Sequence, residues 1–253
     1  KFVFFSSVKA AADIVEGDIL TEDVTPKPLG PYGESKIAAE NYILENLPVN
    51  KKVYILRPCM IHGPGNKGNL NLLNKIVSKG IPWPLGSFDN ERSFCSIDNL
   101  SYVINSLIEK DIESSIYQVA DDQTLSTNEL ISLISQSLGK KENIWNINQS
   151  IVKSIAKSGD LLHLPLNSER LKKLTESYVV SNEKLKKALG IKNMPVDDLS
   201  AGIFVSIVIA ITALHHTNLY NCNHCIELRV PLKLSHQAIS RKHYWLSRIG
   251  TIA

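Results

Sequence analysis

Tyr32 and Lys36 are the residues whose types and spacing most directly indicate chemistry. They stand four positions apart at the predicted start of a helix, so their side chains share one face and can meet the same substrate. A phenol can remove or return a hydroxyl proton, but phenols ionise near about pH 10, and a neighbouring ammonium favours the phenolate. Ser7 adds a hydroxyl that can hydrogen-bond the reacting oxygen. Together the three side chains could move and hold a hydroxyl proton, as the oxidation or reduction of a carbinol by a nicotinamide requires.

The surroundings of this pair make the interpretation specific. With 8 Tyr residues in a Lys-rich chain of 253 residues, the spacing alone is close to what chance gives. However, the pair follows the loop Pro28-Leu29-Gly30-Pro31, and Ser6-Ser7 ends an apolar run that begins at Phe2. A hydroxyl pair at the end of a strand, followed by a loop and a helix start, is the arrangement that brings such groups together.

The elements that must position these residues alternate along the chain. Apolar β-type runs and helical spacing predict strands at 1–5, 52–56 and 116–119, and helices at 35–45, 69–79 and 99–109. We expect a loop at 58–68 and later helices at 126–138, 150–158 and 182–189, with a small strand at 178–180. This order predicts an α/β fold, the C-terminal part of a Rossmann-like doubly wound parallel sheet plus a small α/β substrate-binding subdomain.

The chain resembles the extended short-chain dehydrogenase/reductases of the NAD-dependent epimerase/dehydratase family that act on nucleotide sugars. The first matching segments are Phe4-Phe5-Ser6-Ser7-Val8-Lys9-Ala10 and Pro31-Tyr32-Gly33-Glu34-Ser35-Lys36. Further segments are Leu56-Arg57-Pro58, His62-Gly63-Pro64-Gly65, Gly80 to Gly86, Arg92-Ser93-Phe94 with Ile97-Asp98-Asn99-Leu100, and Leu189-Gly190. The resemblance covers about residues 1 to 196, and its specificity lies in the joint occurrence of these segments.

The resemblance implies a role for each matching residue. Tyr32 would be the acid/base, Lys36 would orient the nicotinamide ribose, and Ser7 would bind the reacting oxygen. NAD or NADP would contact Ser6, Pro58 and Ile61 besides Tyr32 and Lys36. A UDP-sugar would contact, besides Ser7, the residues Val8, Lys9, Asn66, Asn69 and Arg92, the last holding its diphosphate. We predict no metal in this site.

The resemblance leaves the reaction open between epimerase and 4-keto reductase. Val8-Lys9 stands where dehydratases carry an Asp-Glu pair, which disfavours dehydration. Pro58-Cys59-Met60 replaces the Tyr-Phe-Asn segment of galactose-type 4-epimerases, which argues against plain hexose epimerisation. The branch that acts at C4 of UDP-linked 2-acetamido sugars, in surface-polysaccharide synthesis, fits these residues better.

We expect the chain to be a fragment of a longer enzyme. Lys1 to Phe5 already has strand character, and the sequence has no GxxGxxG turn to hold a dinucleotide pyrophosphate. We therefore expect the fragment as given to be inactive. The alternative hypothesis is a non-catalytic Rossmann-fold remnant, a pseudo-enzyme that only binds; intact Ser7, Tyr32 and Lys36 argue against it.

Composition limits the partners and the compartment. The net charge of +3 is scattered, so we expect no nucleic acid, and four irregularly spaced Cys residues suit a reducing cytoplasm. We divide the chain into a Rossmann part at 1–115, a substrate subdomain at 116–198 interleaved with 60–98, and an atypical tail at 199–253. A homodimer is a further expectation.

The tail at 199–253 has no assigned role. Its apolar run at 201–214 is short for a bilayer span, which favours a buried or membrane-surface helix and a weak membrane association. Cys222 and Cys225, with His215 and His216, form an alternative zinc site that lacks a second Cys pair. An origin of the tail by fusion or frameshift stays open.

Overall fold

A computed structural model describes residues 1–63, 69–162 and 167–196 of the protein. Its first sheet consists of parallel strands. The strands are β1 (Phe2–Phe5), β2 (Val53–Pro58), β3 (Met60–His62), β4 (Arg92–Ser96), β5 (Ser115–Val119) and β6 (Thr124–Leu125). The helices are α1 (Pro31–Glu45), α2 (Asn69–Ser78), α3 (Ile97–Glu109), α4 (Thr127–Ser137), α5 (Gln149–Leu162), α6 (Ser168–Thr175) and α7 (Glu183–Leu189).

The first sheet has the order β1-β2-β5, and both pairings are parallel. All six residues of β2 are buried, as expected for a central strand covered on both faces. Phe5 lies beside Leu56, and Pro58 lies beside Val119, so the carboxyl ends of the strands meet at one edge of the sheet. The predicted α/β class with a parallel, Rossmann-like sheet is confirmed.

A second small sheet, β3-β4-β6, corrects the loop prediction for 58–68. Met60–His62 is a strand that pairs in parallel with Phe94–Ser96, while β4 pairs antiparallel with β6. The Pro and Gly residues of this segment suggested a continuous loop, but the sheet partner lies more than thirty residues away. Tyr178 to Val180, predicted as a strand, forms isolated bridges to Arg92 and Leu20.

The helix ends follow local capping chemistry. Pro31 occupies the first turn of α1, so this helix begins four residues before the predicted Ser35. Ser126 and Glu129 form the predicted capping box of α4, and Ser96 caps α3. Gly190, at φ 70°, ends α7 in the left-handed conformation that glycine adopts without strain. Helix α6 was not predicted.

Two hydrophobic cores lie in the described residues. The first joins the sheet strand β2 to α3 and α7, and includes Leu56, Val103 and Leu185. The second joins α2, α4 and α5, and includes Trp83 and Ile131. The proposed boundaries at 115 and 198 remain a prediction.

A buried ion pair holds α1 against the sheet. Arg57, in the otherwise apolar strand β2, is 2% exposed, and Glu40 on α1 is fully buried. The Arg57 Nε lies 2.9 Å from Glu40 Oε1, and Arg57 Nη2 also donates to this carboxylate. The Ser6 hydroxyl, just beyond β1, donates to the same group. One carboxylate therefore connects α1 to the carboxyl ends of two strands.

Asp122 connects the segment after β5 to the last described residues. Its carboxylate accepts hydrogen bonds from Asn182 Nδ2 at 2.8 Å, Lys186 Nζ at 3.0 Å and the Met194 backbone N–H at 2.6 Å. Burial by itself favours the neutral acid, but these donors outweigh it and lower the pKa of Asp122.

The tail predictions lie outside the described residues, including the apolar run at 201–214, the zinc alternative and the division at 199. In the ranges that the structure does describe, no helix combines the length and apolarity that crossing a membrane requires.

Replacing Glu40 tests the buried pair. Glu40→Gln should lower the free energy of unfolding by roughly 3 to 5 kcal/mol, because Arg57 would keep a buried charge without its counterion. Urea unfolding measures this change. Glu45→Gln, on the exposed end of the same helix, is the control and should change little. Equal stability of the two variants would contradict the role of the pair.

The depressed pKa of Asp122 predicts a pH dependence. The ionised carboxylate contributes stability above the unfolded-state pKa of about 4, and this contribution is lost as the pH falls through the lower folded-state value. The unfolding free energies of the wild type and Asp122→Asn should therefore converge between about pH 5 and pH 2. A difference that stays constant over this range would show that ionised Asp122 does not stabilise the fold.

Candidate active site

Ser7 lies in a tight turn directly after β1. Its backbone is extended, and its hydroxyl oxygen accepts a hydrogen bond from the Lys9 N–H at 3.2 Å, which caps the 3₁₀ turn Val8–Ala10. Ser7 is 9% exposed and Val8 is buried. The Ser7 hydroxyl proton remains a donor, because the capping bond uses only the oxygen as an acceptor.

Tyr32 and Lys36 lie on the first two turns of α1, beside the end of β1. The Lys36 ammonium is 5.9 Å from the Tyr32 ring centroid and donates to the Phe5 carbonyl at 2.9 Å. Tyr32 is 59% exposed, so its phenol is open to a ligand. Because Phe5 precedes Ser6-Ser7, the bond from Lys36 brings α1 to the strand end that carries the serines.

Gly33 allows α1 to touch the Ser7 turn directly. A Cβ added to Gly33 would lie 2.4 Å from the Lys9 carbonyl oxygen and 2.8 Å from the Pro28 Cβ, distances that no side chain tolerates. The glycine between Tyr32 and Lys36 is therefore required by close packing. This contact and the Lys36–Phe5 bond together place Ser7, Tyr32 and Lys36 at one end of the sheet.

Glu40 and Arg57 support this arrangement, and sequence reasoning missed their pairing. Ser6, predicted to contact a cofactor, donates its hydroxyl proton to Glu40. A signal was available: an arginine inside the apolar strand Val53–Pro58 requires a buried counterion. The sequence alone offers no indication of which acidic residue supplies it.

Pro58 and Ile61 lie on consecutive strands of different sheets, three residues apart in the chain. Pro58 ends β2 and is buried, whereas Ile61 on β3 is 38% exposed. Between them, burial raises the pKa of the Cys59 thiol well above its usual range, so this cysteine is a neutral packing residue and not a nucleophile. The predicted nicotinamide contacts of Pro58 and Ile61 stay predictions.

Arg92 begins β4 and is half-buried. Its Nη2 donates to the carbonyls of Lys173 and Glu176, the latter at 3.1 Å, while its Nε is buried without a partner among the described atoms. Burial lowers the pKa of the guanidinium, which nonetheless remains charged. Backbone carbonyls fix the orientation of Arg92 without neutralising it, so its charge can serve a phosphate.

His62 and Asp121 form a buried pair beside Gly63. His62 Nε2 is 3.1 Å from Asp121 Oδ2, and Asp121 also accepts from the Ser96 N–H and from Asn99 Nδ2 at 2.7 Å. These contacts join the ends of β3, β4 and β5. The His62–Asp121 pair thus supports the strand ends, a role that the sequence analysis did not identify.

Two predicted substrate contacts cannot be placed. Asn66 lies outside the described residues, and so does the Asn69 side chain, although α2 begins at Asn69. A surface cavity of about 240 Å³, lined by Asp122, Val180 and Lys186 among others, includes none of the predicted site residues.

Known proteins resemble the first half of this chain. Residues 1–120 match the model of the NAD dependent epimerase/dehydratase family. A UDP-glucose 4-epimerase of Vibrio cholerae is 35% identical over 145 residues, covering 55% of this chain and 44% of the relative. The N-acetyl-alpha-D-glucosaminyl-diphospho-ditrans,octacis-undecaprenol 4-epimerase of Escherichia coli O157:H7 is 30% identical over 119 residues, covering 45% and 36%. The chain thus spans less than half the length of these relatives.

The fold has solved counterparts. The crystal structure of UDP-glucuronic acid 4-epimerase from Bacillus cereus in complex with NAD superposes with a TM-score of 0.61 at 19% identity, over 83% of this chain and 61% of that one. At this identity the likeness concerns the fold. Together with the family match, it shows that residues 1–120 of this chain are similar to the NAD dependent epimerase/dehydratase family.

Proposed function

We propose that the chain carries the hydride-transfer site of an NAD(P)-dependent nucleotide-sugar enzyme that epimerises C4 of a UDP-linked sugar. The observation that carries the proposal is the convergence of Ser7, Tyr32 and Lys36, through the Lys36–Phe5 bond and the Gly33–Lys9 packing. The two curated relatives described above are 4-epimerases at 35% and 30% identity, whereas a GDP-6-deoxy-D-talose 4-dehydrogenase and a GDP-6-deoxy-D-mannose reductase match at 27% and 24%; the higher identities favour epimerisation over 4-keto reduction.

The described residues suit the nicotinamide end of a dinucleotide. Tyr32 and Ile61 are exposed, Lys36 adds a cation with free donors, and Phe5, at 42% exposure, adds an apolar surface at the same edge. The sequence offers no GxxGxxG turn for the pyrophosphate. We therefore assign only the nicotinamide and its ribose to these residues.

The side chains have distinct tasks in this mechanism. Tyr32, as the phenolate that the Lys36 ammonium stabilises, takes the proton from the C4 hydroxyl as the hydride leaves, and as the neutral phenol it returns the proton to the C4 oxygen when the hydride comes back. Ser7 donates its hydroxyl proton to the same oxygen and holds it in place. A bound nicotinamide would supply the hydride acceptor and donor.

Arg92 would hold the diphosphate, because its guanidinium is fixed by two carbonyls and keeps its charge. The 2-acetamido group of the substrate and the part in surface-polysaccharide synthesis are supported by the motif resemblance and by the named activity of the Escherichia coli relative.

Product analysis tests the reaction class. The chain, preceded by Rossmann βα units that carry a Gly-rich turn, is incubated with UDP-N-acetyl sugars and with their 4-keto-6-deoxy derivatives. Interconversion of C4 epimers without net change in nicotinamide absorbance supports the proposal. Net consumption of NADH or NADPH would instead identify a reductase, and neither turnover nor nucleotide-sugar binding would contradict both.

Replacing Tyr32 tests the acid/base assignment. Tyr32→Phe removes the phenolic oxygen from an exposed ring, so turnover should fall by about 10² to 10⁴-fold while the affinity for the UDP-sugar changes less than about twofold. Steady-state kinetics and calorimetric titration measure the two effects.

The matched control is Tyr42→Phe, which changes a second exposed tyrosine of α1. It should leave both turnover and affinity unchanged. Retained turnover in Tyr32→Phe, or an equal loss in Tyr42→Phe, would contradict the assignment.

A further inference from the structure

Tyr178 connects two parts of the candidate site that are far apart in sequence. Its backbone is bonded to β4 on both sides of Arg92: the Tyr178 N–H donates to Glu91 O at 2.7 Å, and the Ser93 N–H donates to Tyr178 O at 3.0 Å. Its side chain leaves β4 and donates its hydroxyl proton to the Ala12 carbonyl at 2.6 Å. The residue thus spans from the Arg92 strand to the segment that follows Ser7.

The far end of this contact is coupled to Ser7 by consecutive backbone bonds. The Ala12 N–H donates to the Val8 carbonyl at 3.2 Å, and the Ala10 N–H donates to Ser7 O at 2.9 Å. The Tyr178 hydroxyl also lies 3.4 Å from the Val8 carbonyl. A displacement of Ala12 would therefore be transmitted to the turn that holds the Ser7 hydroxyl.

Lys9 provides a second contact to the same tyrosine. Its ammonium lies 4.3 Å from the Tyr178 ring centroid, within cation–π distance, and donates to Asp13 O at 2.9 Å. Asp13 in turn accepts from the Leu29 N–H at 2.6 Å, in the loop that leads into α1. The Tyr178 ring therefore contacts the turn through Lys9, and Asp13 connects the same turn to the loop that precedes α1, the helix that carries Tyr32.

The hydroxyl of Tyr178 is a dependable donor. Burial is the largest cause that raises its pKa, and it does so far above the usual value for a phenol, so the proton stays in place throughout the working range of an enzyme. Tyr178 therefore does not act as an acid or base in the reaction.

We propose that Tyr178 is a positioning residue that fixes the Ser7 turn relative to Arg92, and thereby sets the reacting oxygen against the diphosphate of the same substrate. This inference rests on the proposed function for its catalytic consequence. The Tyr178 hydrogen bond lies between the group that binds the reacting oxygen and the group that binds the diphosphate. Its loss should therefore change the rate more than the substrate affinity, because a displacement of a reacting group by about 1 Å can cost about 100-fold in rate.

Tyr178→Phe tests the inference, with Tyr54→Phe as a matched control. Tyr54 is buried and also donates its hydroxyl to a backbone carbonyl, Ile112 O at 3.0 Å, but lies toward the opposite end of β2 from Pro58. Each variant loses one short hydroxyl–carbonyl bond and keeps its ring, and Tyr178→Phe also loses the longer contact to Val8 O. Urea unfolding checks that both fold and lose similar stability.

The first readout is hydrogen–deuterium exchange of the 253-residue chain without ligand. Tyr178→Phe should accelerate exchange of the amides from Lys9 to Ala12 by about tenfold, whereas Tyr54→Phe should leave them unchanged. Unchanged exchange in Tyr178→Phe, or the same acceleration in both variants, would overturn the inference.

The second readout is the division between kcat and KM in the form that carries the Gly-rich βα units. Tyr178→Phe should lower kcat by about tenfold or more with KM for the UDP-sugar within about twofold, and Tyr54→Phe should change neither. Accelerated exchange with unchanged kcat would overturn the positioning role. A wild type that turns over no nucleotide sugar would refute the proposed function, and the exchange comparison would still decide whether Tyr178 holds the turn.

Discussion

The candidate site depends on the buried contact between Glu40 and Arg57. Helix α1 has few other anchors: of its 15 residues only Gly33 and Glu40 are buried, while Tyr32, Tyr42 and Leu44 are exposed. Most helices attach to a sheet through an apolar stripe. Here a carboxylate that receives Arg57 and Ser6, together with a glycine packed on the Lys9 carbonyl, performs this task. The position of Tyr32 follows from polar geometry more than from hydrophobic burial.

This mode of attachment has a cost and a benefit. A buried ion pair contributes little net stability over apolar packing, but removing one partner leaves an uncompensated charge. The Glu40 carboxylate accepts hydrogen bonds from the ends of both β1 and β2, and these directional bonds fix one orientation of α1. The face that bears Tyr32 and Lys36 stays open to a ligand, because it is not needed for packing. A second polar connection, through Tyr178, joins the Ser7 turn to Arg92.

The sequence predicted well those features that depend on local patterns. The parallel strands and the capping box at Ser126 and Glu129 both follow from short segments. Features that depend on residues far apart in the sequence were not predicted. The strand Met60–His62 is stabilised by Phe94–Ser96, and the Tyr178 hydroxyl meets a carbonyl 166 residues earlier. The pairing of Glu40 on α1 with Arg57 was missed for the same reason, since Arg57 lies outside the helix.

We propose that Ser7, Tyr32 and Lys36 form a site for hydride transfer at C4. A UDP-sugar with deuterium at C4 tests it most directly, in the form of the chain that carries Gly-rich βα units. Mass spectrometry and NMR of the epimerised product locate the label. Deuterium should remain at C4, because the hydrogen leaves and returns as hydride and does not exchange with water. Replacement of the label by solvent hydrogen would contradict it, since that outcome requires removal of C4 hydrogen as a proton.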